Sequence, residues 1–207
     1  MTAVHSNLLL LATFRAYAQT QPAAVLLWLL VNLISFGFEF NQWAVRREEA
    51  KKVDRGSLAL LSTGTAAGIA VLVLAPIAFP AAAIRPAPVF FGIGMAVYLA
   101  GFAMRRWSEM TLGRYFTFAV MTSPDQPVVT NGPYRIVRHP GYTGVLLVVL
   151  GAGFVAGNWV GLAGWTILVM LPLLYRIRVE ETALVAALGD CYRSYAAHHK
   201  RLVPLLW

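Results

Sequence analysis

Long apolar runs alternate with short polar and basic breaks along this chain, and that rhythm sets the elements to expect. A helix needs about 20 apolar residues to cross the hydrocarbon core of a bilayer. Five stretches approach that length: Pro22–Phe40, Ser57–Phe79, Val89–Met104, Tyr142–Gly157 and Val160–Tyr175. Only Asn158 and Trp159 separate the last two, which predicts a tight helical hairpin. Gly144, Gly151, Gly153, Gly157, Gly161 and Gly164 would let backbones approach closely there. Pro80–Pro88 reads as a short loop and Thr117–Asn131 as a longer one. Beyond Tyr175 the chain turns polar. Leu184, Leu188, Tyr192 and Tyr195 share one helix face, and Gly189-Asp190 can end one helix and cap the next.

The basic residues test this division. With five spans, fifteen of the seventeen Lys and Arg residues fall on one side of the membrane, leaving Arg15 and Arg85 opposite. By the positive-inside rule that side is cytoplasmic and the N-terminus lies outside. Leu8–Phe14 followed by Ala16-Tyr17-Ala18 resembles a cleavable leader. No Lys or Arg precedes that run and Arg15 interrupts its end, so an uncleaved interfacial helix is expected instead.

Composition points the same way. Of 207 residues 58% are hydrophobic and 13% charged, with mean hydropathy +0.64, whereas a soluble domain carries about a quarter charged residues. The expected fold is therefore an all-α integral membrane protein of the inner (cytoplasmic) membrane, with five transmembrane helices and a cytoplasmic C-terminal helical cap. Residues 1–110 would hold three spans, and 111–207 the loop, the hairpin and the C-terminal helices. The net charge of +8 is then topogenic, and no nucleic-acid partner is expected. Cys191 is the single cysteine, so no intrachain disulfide can form, and no metal-ligand cluster surrounds it.

Two polar constellations stand out. Asn131–Gly144, "NGPYRIVRHPGYTG", opens with a turn signal, and Pro140 suits the first position of a helix. The unpaired N–H groups of that helix start, with Arg135 and Arg138 nearby, make a ready site for an anionic group at the membrane surface. The second is Arg176–Glu181, at the exit of the last span. Arg176 and Glu180 are four apart and can pair, and two adjacent carboxylates at such a place are costly unless something uses them.

Taken together, "GPYRIVRHPGYTG" and the later "YRIRVEETALVAALGDCYRSYAAHHKRLVP" resemble the isoprenylcysteine carboxyl methyltransferase family and its prokaryotic relatives. Gly132, Pro133, Tyr134, Arg135, Arg138, His139, Pro140, Tyr142 and Gly144 match the first part of its pattern. Arg176, Glu180, Glu181, Leu184, Gly189, Tyr192, Tyr195 and Pro204 match the second, with Leu188 where phenylalanine is usual. The resemblance implies a membrane methyltransferase with S-adenosylmethionine as cofactor. It implies cofactor contacts from Tyr134, Val137, Arg138, His139, Pro140, Tyr142, Glu180 and Glu181. Arg176 and Glu181 would be the catalytic residues, Arg176 orienting an anionic acceptor. The partners would be membrane lipids and a lipophilic or lipid-like small molecule, such as an isoprenylcysteine carboxylate, a small thiol or a lipid. No metal and no obligate protein partner is expected. Two other classes stay open at this point: a membrane reductase of the sterol-reductase type using NADPH, and a small transporter or structural subunit.

Overall fold

A computed structural model describes residues 51–52, 54–116, 121–122 and 127–204. The first expected span, Pro22–Phe40, and the expected interfacial helix lie outside them.

Four helices carry the fold: α1 (Ser57–Ala78), α2 (Ala87–Leu112), α3 (Pro140–Ala156) and α4 (Trp159–His198). The two-residue strands β1 (Lys51–Lys52) and β2 (Met121–Thr122) pair antiparallel. Among the described residues α1, α2 and α4 are long and apolar enough to cross a membrane, while α3, at 17 residues, is shorter. The chain is an integral membrane protein.

Two helices outrun their apolar stretches for identifiable reasons. α2 continues to Leu112 because Arg105 and Arg106 both pair with the buried Glu109, one helical turn away, so the polar turn stays satisfied within the helix. α4 runs from Trp159 to the break at Gly189, about 45 Å at 1.5 Å per residue, well beyond the ~30 Å hydrocarbon core. The part following Tyr175 therefore leaves the apolar layer. Gly189 breaks it at φ 57°, ψ −132°, a conformation that glycine adopts without a Cβ clash.

Close glycine contacts set the packing. A Cβ on Gly151 of α3 would lie 2.4 Å from the Tyr98 nitrogen and 2.6 Å from the Gly94 oxygen of α2. One on Gly101 would lie 2.7 Å from the Gly144 oxygen. α2 and α3 thus touch backbone to backbone. α1 packs against α4, where the Trp165 ring fills the space that a side chain on Gly68 would need. Gly151→Ala is expected to destabilise the protein by about 1–3 kcal/mol through overpacking, read as a lower unfolding midpoint in detergent. An unchanged midpoint would show that the helices can part at no cost.

The hairpin between α3 and α4 is fixed by Asn158, which is fully buried. Its side-chain oxygen accepts from the amides of Val160 (3.0 Å) and Gly161 (3.1 Å), capping α4, while its amide donates to Phe79 O at the end of α1 (2.9 Å). The Ile84 amide, one residue before Arg85, donates to Gly157 O at this same end (2.8 Å). Arg105, Arg138 and Arg176 gather at the opposite end around one cavity.

Candidate active site

Pro140 takes the first position of α3, and its missing N–H is one that a helix start leaves unpaired anyway. The backbone just before it is held by a second segment. The amides of Arg138 and His139 donate to Lys200 O (2.7 Å) and Arg201 O (3.0 Å), and the Thr143 hydroxyl donates to Leu202 O (2.8 Å). Leu202, 2% exposed, anchors this strap among Leu173, Ile177, Tyr142 and Leu146.

α4 delivers the acidic pair to the same corner. Glu181 lies 3.3 Å from His139 Nε2 and 3.0 Å from Arg138 Nη2, and it accepts from Arg201 Nε (3.0 Å) and Nη2 (2.9 Å). Burial raises its pKa, but the hydrogen bonds from His139 and Arg201 and the nearby charges outweigh that, lowering it from 4.5 to about 2. Glu180 accepts from the Tyr142 hydroxyl (2.5 Å), which in turn accepts from Arg176 Nε (2.9 Å). Arg176 and Glu180 are therefore bridged by a phenol on α3, where the sequence suggested pairing along one helix. The other side of Arg176 faces Asp54 Oδ1 (3.0 Å) and Ser57 Oγ (3.1 Å).

These groups border a cavity of about 600 Å³. Tyr134, Arg138, His139, Tyr142, Arg176 and Glu180, all expected from the sequence, line it. Val137, Pro140 and Glu181 do not form its wall. Val137 is buried in a backbone bridge to Lys200, Pro140 starts α3, and Glu181 is occupied with Arg138, His139 and Arg201. Away from the charged groups the cavity continues between apolar side chains, Ile69, Val148, Trp165 and Val169 among them. Val169 and Trp165 precede Arg176 by two and three turns of α4, about 10 and 16 Å deeper along the helix. The cavity is thus polar at one end and apolar at the other, and α1 contributes wall through Leu58, Leu61 and Thr65. The site draws on both sides of residue 110.

Three residues of this arrangement were not singled out as site residues from the sequence. Arg201 was one of many basic residues near the end of the chain. Asp54 had a local signal, an acid three residues ahead of Ser57 at a helix start, but nothing in the sequence names its partner across the fold. Tyr192 was visible as part of a helix face and as a match to the family pattern, with no role attached to it. It is 4% exposed, its hydroxyl has no hydrogen-bond partner among the described residues, and burial raises its pKa above the usual phenol range.

Residues 93–186 match the model of the isoprenylcysteine carboxyl methyltransferase family, a stretch holding both motif blocks from Gly132 to Glu181. Over that stretch the chain is similar to the isoprenylcysteine carboxyl methyltransferase family. It is 29% identical over 106 residues to a probable protein-S-isoprenylcysteine O-methyltransferase of Oryza sativa subsp. indica, covering 50% of this chain and 56% of that protein. It is 31% identical over 105 residues to the protein-S-isoprenylcysteine O-methyltransferase of Schizosaccharomyces pombe, covering 50% and 44%. It is also 31% identical over 100 residues to the uncharacterized protein YpbQ of Bacillus subtilis, covering 48% and 59%. The chain spans about half the length of these relatives. A solved eukaryotic intramembrane Ras methyltransferase of this family superposes with a TM-score of 0.60 at 24% identity, over 70% of this chain and 52% of that one. That likeness extends the shared fold beyond the sequence match.

Proposed function

We propose that this protein is an integral membrane methyltransferase that uses S-adenosylmethionine to methylate a lipophilic acceptor. The 3.3 Å contact between His139 and Glu181 carries the reading, because it joins the two motif blocks across 42 residues of chain at the border of one amphipathic cavity. The names of the rice and fission yeast relatives favour an isoprenylcysteine carboxylate as acceptor. A small thiol and a lipid are the other acceptors of the right polarity. We read residues 1–110 as the N-terminal spans and 111–207 as the methyltransferase core, assisted by the α1 wall. We take the site to face the cytoplasm, with the N-terminus outside, and the inner membrane as its place. The gathering of Arg105, Arg138 and Arg176 at one end supports that orientation.

The residues present suit the cofactor. Arg138 Nε and the Tyr192 hydroxyl are buried without a hydrogen-bond partner among the described residues, an expensive condition that a polar ligand relieves. Glu180 supplies a carboxylate for the ligand's cationic end, and Arg138 and Tyr192 supply donors for its carboxylate or hydroxyls. Tyr134 and His139 add ring surface on the same wall. Bound there, S-adenosylmethionine supplies a methyl group already activated on a sulfonium.

Little else is required of the chain. Alignment of two reactants can lower a barrier by about 7–11 kcal/mol, and the apolar half of the cavity strips water from the acceptor's nucleophilic atom. An ionised carboxylate or thiolate brings no proton to remove, so a general base is not needed. Glu181 and Arg201 hold Arg138 and His139 in place, and Arg176 orients Tyr142.

The direct test uses purified protein in lipid nanodiscs. Calorimetry should show saturable binding of S-adenosylhomocysteine and none of NADPH. Labelled methyl from S-adenosylmethionine should appear in N-acetyl-S-farnesylcysteine or in a component of a lipid extract identified by mass. Absence of S-adenosylhomocysteine binding, or binding of NADPH in its place, would overturn the assignment.

A further inference from the structure

The family match begins at residue 93, yet a deeply buried ion pair of the site reaches back to residue 54. Asp54 is 5% exposed and Arg176 3%. We infer that Asp54 is a positioning residue for Glu180, acting through Arg176 and Tyr142; the inference rests on the reading of Glu180 as a cofactor-holding carboxylate. The contacts run in one direction. Asp54 Oδ1 and Ser57 Oγ hold Arg176 Nη1 at 3.0 and 3.1 Å. Its Nε donates to the Tyr142 hydroxyl at 2.9 Å. A guanidinium has donors and no acceptor, so the single phenol proton cannot return to Arg176. It goes to Glu180 Oε2 at 2.5 Å, fixing that carboxylate against the cavity.

Asp54 is one of the groups that compensate Arg176, and its ion pair to Nη1 holds the guanidinium toward the start of α1. With Asp54 neutral, that pull on Nη1 is weakened, and Glu180, one helical turn away on α4, is a carboxylate toward which the guanidinium can turn, drawing it out of the ligand's reach. A purely structural role must be separated from this one, because Asp54 also holds the start of α1 through the Leu58 amide (3.1 Å) and the Ser57 hydroxyl (2.9 Å). Asn retains the shape and an acceptor oxygen for the Leu58 amide, so Asp54→Asn isolates the charge.

The experiment is a double-mutant cycle on the full chain in nanodiscs, read as S-adenosylhomocysteine affinity by calorimetry, with unfolding midpoints recorded alongside. Asp54→Asn should weaken binding about tenfold, a coupling within the range of residues in one network. In the Tyr142→Phe background, where the relay lacks its hydroxyl, the same change should cost less than about twofold. Asp54→Glu, which keeps the charge, should bind more tightly than Asp54→Asn and carries the cycle if the Asn variant does not fold. Equal losses in both backgrounds, no loss from Asp54→Asn, or no recovery with Asp54→Glu each overturn the positioning role. A wild-type protein that binds no S-adenosylhomocysteine overturns it too, and that result alone also removes the cofactor reading beneath it.

Discussion

Glu181→Gln is expected to weaken S-adenosylhomocysteine binding by at least about 30-fold and to lower the stability of the protein. The carboxylate draws on three partners from different parts of the chain: Arg138 and His139 ahead of α3, and Arg201 on the strap. Glutamine keeps the shape and one acceptor oxygen but removes the charge that compensates two guanidiniums. Hydrogen bonds to charged groups are worth about 1.5–3 kcal/mol, and 1.4 kcal/mol is tenfold in affinity. Arg138 and His139, which line the cavity, would lose their fixed orientation even though Glu181 is not in its wall. The stability cost lies between about 1 kcal/mol for an exposed pair and about 5 kcal/mol for a buried one. With the Glu181 side chain 14% exposed, it belongs toward the upper part of that interval.

The same group gives a pH signature. Its folded pKa is depressed, so the stability it contributes is complete above 4.5 and is lost as pH falls from 4.5 toward about 2. Unfolding midpoints measured from pH 7 to pH 3 should fall at the acid end, and Glu181→Gln should flatten part of that fall. Parallel curves for the two proteins would mean that Glu181 is not the group responsible.

Leu202→Ala should lower stability by about 2–5 kcal/mol, the usual cost of truncating a buried leucine, and should weaken S-adenosylhomocysteine binding as well. The side chain is not in the cavity wall but clamps the strap whose carbonyls hold Arg138, His139 and Thr143. A loss of stability with full binding affinity would mean that the corner keeps its shape without the strap. Paired loss, partly restored by Leu202→Met, is the result expected if packing at this position is transmitted to the site.

The helices were legible because apolar length and basic flanks are local properties of a membrane chain. Pro140 marked the start of α3 correctly, and Gly189 marked the break in α4. The helical face of Leu184, Leu188, Tyr192 and Tyr195 was legible too, but the polar extension of α2 was not, because it depends on pairs such as Arg105–Glu109 that satisfy a charge where the apolar run has already ended. At the site, the two motif blocks could be named from sequence, and the structure brings His139 and Glu181 together across 42 residues. What sequence could not give was the third strand of the story. Asp54 meets Arg176 across 122 residues, and Arg201 meets Glu181 across 20, pairings that only packing decides. Arg176 shows the limit well: its spacing suggested a partner on its own helix, but not that it also meets Asp54 and Ser57 at the start of α1 and Tyr142 on α3.

The strap also sets an order of events during synthesis. Fifty-nine residues separate Thr143 from its partner Leu202, so at about 5–20 residues per second a ribosome needs roughly 3–12 s to deliver one after the other. Until then Glu181 can already meet the histidine corner, but the backbone carbonyls that fasten it are still to come.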